Sequence, residues 1–170
     1  MEIFVFIAIP AILVCVAIAR VFRQIKLRNN RRNDPYRKVL FLDFDGVLHR
    51  GFSETFEHLG AFEKLLRSHL DTSVVISSDW RRGKTLDQLK SLFSSSAREQ
   101  IVGVTPELSP DDRQREIEAF CEMHKIGSYL IIDDSKALFR PGNSNAYFTN
   151  PKTGLTRDDL YCIDAWLRKA

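Results

Sequence analysis

The sequence predicts an α/β fold built on an open parallel sheet, and three observations carry that reading. Val39–Asp43 (VLFLD), Ser73–Ser77 (SVVIS) and Tyr129–Asp133 (YLIID) are short apolar runs without polar alternation, the pattern of strands buried on both faces. Segments with apolar residues at helical spacing alternate with them. The stretch 44–72 has room for one helix and no inserted cap domain, so the expected site is open to large substrates.

Taken in order, residues 1–22 are expected to form a transmembrane anchor. From Ile3 to Ala19 the chain carries no charge, close to the lower limit of roughly 17–25 apolar residues for a span. Arg20 can snorkel and lengthen it, and Pro10 is tolerated in lipid. A secretory signal would carry positive charge ahead of the apolar run, where only Glu2 stands. The basic residues come after it, so the positive-inside rule places the catalytic domain of a single-pass membrane protein on the cytoplasmic side. Residues 23–37 read as a basic juxtamembrane linker that can lie on anionic headgroups, and 38–170 as the folded domain.

Charge follows the same division. Residues 1–38 hold eight Lys/Arg against Glu2 and Asp34, an excess of six, whereas the whole chain has a net charge of +3. The folded part is therefore acidic by three, and no extended nucleic-acid-binding surface is expected of it. Cys15, Cys121 and Cys162 are odd in number and far apart, which argues against a disulfide framework or a thiolate metal site and for a reducing compartment.

Within the domain, Phe62, Leu65, Leu66 and Leu70 mark a helix after the first strand. Leu86, Leu89 and Phe93 mark another behind a Thr85/Gln88 capping pattern. Ser109–Asp112 (SPDD) is expected to open a helix with a cap residue and proline in the first turn, its apolar face formed by Ile117, Phe120, Cys121 and His124. Thr156–Asp159 (TRDD) opens a last helix carrying Leu160, Ile163 and Leu167.

Ligands bind at the carboxyl ends of strands in such sheets. Here the strands end in Asp43, in Ser77-Ser78-Asp79 and in Asp133-Asp134. If these strands are neighbours, hard oxygen ligands converge on one rim and describe a Mg²⁺ site. Asp43 at the strand tip can attack phosphorus as a nucleophile. Asp45, two residues on, can serve as acid and then base, with Gly46 permitting the sharp turn. Trp80 and Arg81 are candidates for the mouth of the site; His49 reads as structural.

The segments LDFDGVL, VVISSDWR and LIIDDS resemble motifs one, two and four of the haloacid dehalogenase (HAD) superfamily of aspartate-nucleophile phosphatases. More narrowly, DFDGVLH, SSDWR, TP…RQREI, IIDD and NPKTGLT are similar to the HAD domain of Swiss Army Knife RNA repair proteins. The resemblance implies a three-layer Rossmann-like core without a large cap. It implies a Mg²⁺-dependent phosphohydrolase acting on a phosphate monoester through an aspartyl-phosphate at Asp43. In that scheme Asp45 is the acid/base with its backbone carbonyl on the metal, and Ser77 holds the transferring phosphoryl group with Ser78 as its rival. Asp134, assisted by Asp133, completes the metal site. Arg113 and Arg115 are both candidates for the third-motif cation, with Ser78, Arg81 and Arg115 as substrate-binding residues. The substrate is a phosphorylated molecule of open class, whether small metabolite, nucleic-acid end or phosphoprotein. Two alternatives stand beside this: an inactive membrane-anchored phosphate-binding module, whose expected loss of a nucleophile, acid or metal ligand is not seen, and a phosphotransferase of the same fold.

Overall fold

The computed structural model describes residues 3–108 and 112–170, with side chains described from Leu13 onward. The three apolar runs form strands β1 (Val39–Leu42), β2 (Ser73–Ile76) and β4 (Tyr129–Asp133). Two further strands, β3 (Ile101–Val104) and β5 (Ala146–Phe148), complete a five-stranded, all-parallel sheet in the order β3-β2-β1-β4-β5. β1 is thus flanked by β2 and β4. Leu42 is level with Ile76 on one side and Ile132 on the other, so the next residues, Asp43, Ser77 and Asp133, share one rim.

Because β1 and its neighbours are buried on both faces, alternate residues feed two cores. Leu40, Leu42, Val74, Ile76 and Ile132 pack with Phe62, Leu66, Leu89, Ile163 and Leu167 from α2 (Leu59–Ser68), α3 (Leu86–Ser91) and α6 (Arg157–Lys169); α4 (Ser95–Arg98) adds Ala97. Val39, Phe41, Val75 and Ile131 pack on the other face with Ile117 and Phe120 of α5 (Arg113–His124). The result is a three-layer core, and the β1–β2 connection holds only a loop and α2.

The predicted caps at Thr85 and Thr156 both form reciprocal capping boxes, with Gln88 and Asp159. At α5 the cap is Asp112, which accepts from the Arg115 amide at 3.0 Å. The Ser109 and Pro110 expected there lie outside the described residues.

The amino-terminal reading changes more. A single helix, α1, runs from Ile3 to Asn33, so most of the segment expected to be a linker is helical. It ends docked on the domain: Arg31 is buried near Glu99, and Tyr36 just beyond packs on the rings of Phe120 and His124. Among the described residues no helix is long and apolar enough to cross a membrane. The expected span at 3–22 therefore has no structural support, and its first side chains, through residue 12, lie outside those described.

Candidate active site

The chain leaves β1 at Asp43 and turns sharply at Gly46, whose φ of +63° suits glycine. The turn is also crowded. A Cβ on Gly46 would stand 2.0 Å from a carboxylate oxygen of Asp134, so the absence of a side chain is what lets Asp134 approach the turn after Asp43. The NPKTGLT segment and Thr149 just before it clasp the same turn from outside: Thr149 Oγ1 donates to the Gly46 carbonyl at 2.8 Å, and the Leu155 amide to that of Val47 at 2.9 Å.

Asp43 is buried, and its Oδ1 accepts from the Phe44 amide at 2.8 Å. Burial raises its pKa above the ordinary carboxylate range, against the pull of Arg113. Asp133 is raised as well, by burial first and then by the neighbouring Asp43 charge. Asp134, half-buried, moves the same way through burial. One ligand oxygen from each of Asp43, Asp133 and Asp134 can be chosen so that all lie within 4.8 Å of one another. Three carboxylates crowded this closely, two of them buried, disfavour their own ionisation. Their hard oxygen atoms, and the space Gly46 leaves for Asp134, fit a Mg²⁺ ion.

The structure places the two arginines differently. At 4% exposure Arg113 reaches under the rim from the first turn of α5. Its guanidinium lies 3.5 Å from Asp43, 3.3 Å from Asp133 and 3.2 Å from Asp79, and it donates to the Ser77 carbonyl. Burial opposes its charge, but Asp43, Asp133, Asp79 and Glu116 together outweigh that and raise its pKa. Arg115, two residues on, faces solvent and lines a separate cavity with Leu108, Glu118 and Arg140. The expectation that Arg115 stands at the site is therefore corrected in its placement: residues two apart on a helix point about 200° apart, and of the two arginines Arg113 is the one that faces the rim.

Arg81 is corrected too. It is buried rather than at the mouth, donating to the Ser78 carbonyl at 2.8 Å and pairing with Glu116. The two serines have different surroundings. The Ser78 side chain accepts from the Trp80 amide at 3.4 Å and acts on Asp43 by lowering its pKa. Ser77 Oγ is buried without a partner among the described residues, while its amide continues the sheet by donating to the Leu42 carbonyl.

Asp45 is held by two residues. Its Oδ1 lies 2.8 Å from His49 Nε2, and its Oδ2 accepts from Trp80 Nε1 at 3.1 Å. Neither contact was foreseen. The four-residue separation of Asp45 and His49 was the available signal, but it places two side chains together only once the turn geometry is known. Asp43, Asp45, Asp79, Arg113 and Asp134 line a cavity of about 210 Å³ whose outer wall is Phe52, Leu138 and Pro151.

A parallel α/β sheet with a D-x-D turn at its first strand tip, an acid pair on one neighbouring strand and a buried arginine closing the rim defines a domain of the HAD type. The family model described as the HAD domain in Swiss Army Knife RNA repair proteins matches residues 39–160, and the chain belongs to that family. Membership supports a HAD-type phosphohydrolase or a related activity. No curated protein and no solved structure matches the chain.

Proposed function

We propose that the chain is a Mg²⁺-dependent phosphohydrolase of phosphate monoesters with Asp43 as nucleophile and Asp45 as acid/base. The observation that carries this reading is the placement of Arg113 between Asp43, Asp133 and Asp79, where a phosphoryl group arriving at Asp43 meets a fixed positive charge. An Asp43 oxygen attacks phosphorus, the bond from phosphorus to the ester oxygen breaks, and Asp45 gives that oxygen its proton. Water then attacks the aspartyl-phosphate while Asp45 takes its proton, releasing inorganic phosphate and restoring the Asp43 carboxylate. Held by Asp43, Asp133, Asp134 and the Asp45 carbonyl, Mg²⁺ would offset the repulsion between carboxylates and phosphate. Arg113 orients the phosphoryl oxygens throughout.

Phosphate release from an aryl phosphate by the purified full chain tests this. Asp43→Asn is expected to remove at least about 10³-fold of the rate, in keeping with the loss of a covalent nucleophile, and a chelator is expected to abolish turnover. Activity that survives Asp43→Asn would sink the mechanism. Release from none of a panel of nucleotides, end-phosphorylated RNA, phosphosugars and phosphopeptides would favour a phosphate-binding module instead. The RNA arm of that panel tests whether the repair role named for the family extends to this chain. Membrane attachment through residues 3–22 enters the proposal on the charge-free run Ile3–Ala19 alone. Cell fractionation tests it, and a wholly soluble protein overturns it.

A further inference from the structure

Asp45 sits on a turn, one-fifth exposed at its side chain, and nothing in its own backbone fixes which way the carboxylate points. A proton shuttle must lie within hydrogen-bond reach of the leaving oxygen, and misplacement by about 1 Å can cost 10²-fold. The side chain is nonetheless fixed at both oxygens, by His49 at 2.8 Å on Oδ1 and by Trp80 at 3.1 Å on Oδ2.

We propose that His49 and Trp80 are positioning residues that clamp the Asp45 carboxylate toward the leaving group. The assignment rests on the phosphohydrolase reading above. The indole N–H of Trp80 can only donate, and we assign His49 the tautomer that donates from Nε2. Each Asp45 oxygen keeps a second lone-pair site, where the proton rides in the acid form, for the cavity that Asp45 lines. The imidazole is fully buried, 4.8 Å from the Phe56 ring and 5.9 Å from Trp80, and Phe44 and Phe56 hold the indole in turn at 5.9 and 5.1 Å. Packing alone does not call for an imidazole in this aromatic nest. Its Nδ1 is buried with no hydrogen-bond partner among the described residues, a cost that a phenyl ring would avoid. What the imidazole adds over phenyl is the N–H on Asp45.

The test compares kcat/KM, which reports the first phosphoryl transfer, for p-nitrophenyl phosphate and for an alkyl phosphate. The nitrophenolate leaves with little need of a proton; an alkoxide needs one. In the full chain, His49→Phe is expected to lose about 10- to 100-fold on the alkyl ester, the range for residues that orient a functional ligand, and only a few-fold on the aryl ester. His49→Gln, whose amide N–H can reach from near the Nε2 position, is expected to recover most of the loss. Trp80→Phe is expected to repeat the leaving-group dependence and carries the test if His49→Phe fails to fold. In the metal-free protein, the ¹⁵N spectrum is expected to show His49 as the Nε2–H tautomer, and the Trp80 indole N–H resonance is expected to move in Asp45→Ala. Equal losses on both esters in a folded variant, or a His49→Gln variant as impaired as His49→Phe, overturns the clamp while leaving the phosphohydrolase reading in place. Wild-type protein without Asp43-dependent turnover overturns both.

Discussion

At the scale of single residues, the site depends as much on what is missing as on what is present. Gly46 combines a left-handed backbone with a position where any Cβ meets the Asp134 carboxylate at 2.0 Å. Gly46→Ala therefore carries two penalties. The backbone strain costs roughly 1–2 kcal/mol for a residue other than glycine, read as a fall in urea-unfolding free energy. Displacement of Asp134 is expected to weaken Mg²⁺ binding in calorimetry, and an unchanged Mg²⁺ affinity would show that Asp134 is no ligand. The placement of Gly46, Asp43 and Asp45 at the strand tip was legible in the sequence because it follows from spacing along a single strand and turn. The different surroundings of Ser77 and Ser78 were not. Successive residues leaving a strand point to opposite faces, and what each face meets depends on how the neighbouring strand is aligned.

Elements supply the reach that spacing cannot reveal. α5 brings Arg113 under the rim because Asp112 caps it and because Glu116, one turn on, stays buried with Arg81. That pair braces α5 against the turn after β2, and Glu116 also accepts the Leu108 amide at 3.1 Å. Glu116→Ala is expected to lower unfolding stability by about 3–5 kcal/mol, since removing one partner leaves a buried charge uncompensated. Glu116→Gln, which retains an acceptor, is expected to lose less. Equal stability of both variants and the wild type in urea titrations would show that the pair braces nothing. The helices carried capping and periodicity signals strong enough to read at Thr85 and Thr156. Strands β3 and β5 did not: IVGV is interrupted by Gly103, AYF is three residues long, and both owe their strand conformation to the neighbour they pair with. The helical continuation of α1 to Asn33 was hidden by its charge, because a run of arginines reads equally as a solvated linker.

For the molecule as a whole, the parallel sheet gathers negative charge at one end of a domain that is already acidic, with Arg113 the buried cation set against it. Burial pushes Asp43 up to about 6 and Asp133 up to about 8, from an ordinary value of 3.8. The sign of the consequence is fixed by linkage: the folded protein holds protons that the unfolded chain has released, so stability falls as pH rises between the two values. This contribution is fully present below pH 3.8 and is lost on the way to pH 8. Asp159 and Asp164 act in the opposite sense. Hydrogen bonds help lower their pKa values, from Thr156 against the pull of burial at Asp159 and chiefly from Arg168 at Asp164, so their contribution is lost as pH falls through the acid range. The metal-free full chain is therefore expected to lose thermal stability from pH 5 to pH 8, and Asp133→Asn is expected to flatten that slope by removing the most strongly raised carboxyl. Saturating Mg²⁺ stabilises the form that binds it by mass action. It is expected to stabilise the wild type most at the alkaline end, where the carboxylates are free of protons. Parallel melting curves for wild type and Asp133→Asn across this range would show that the buried acids do not share the strain the geometry assigns them. A slope that Mg²⁺ leaves untouched would separate the acid cluster from the metal it is proposed to hold.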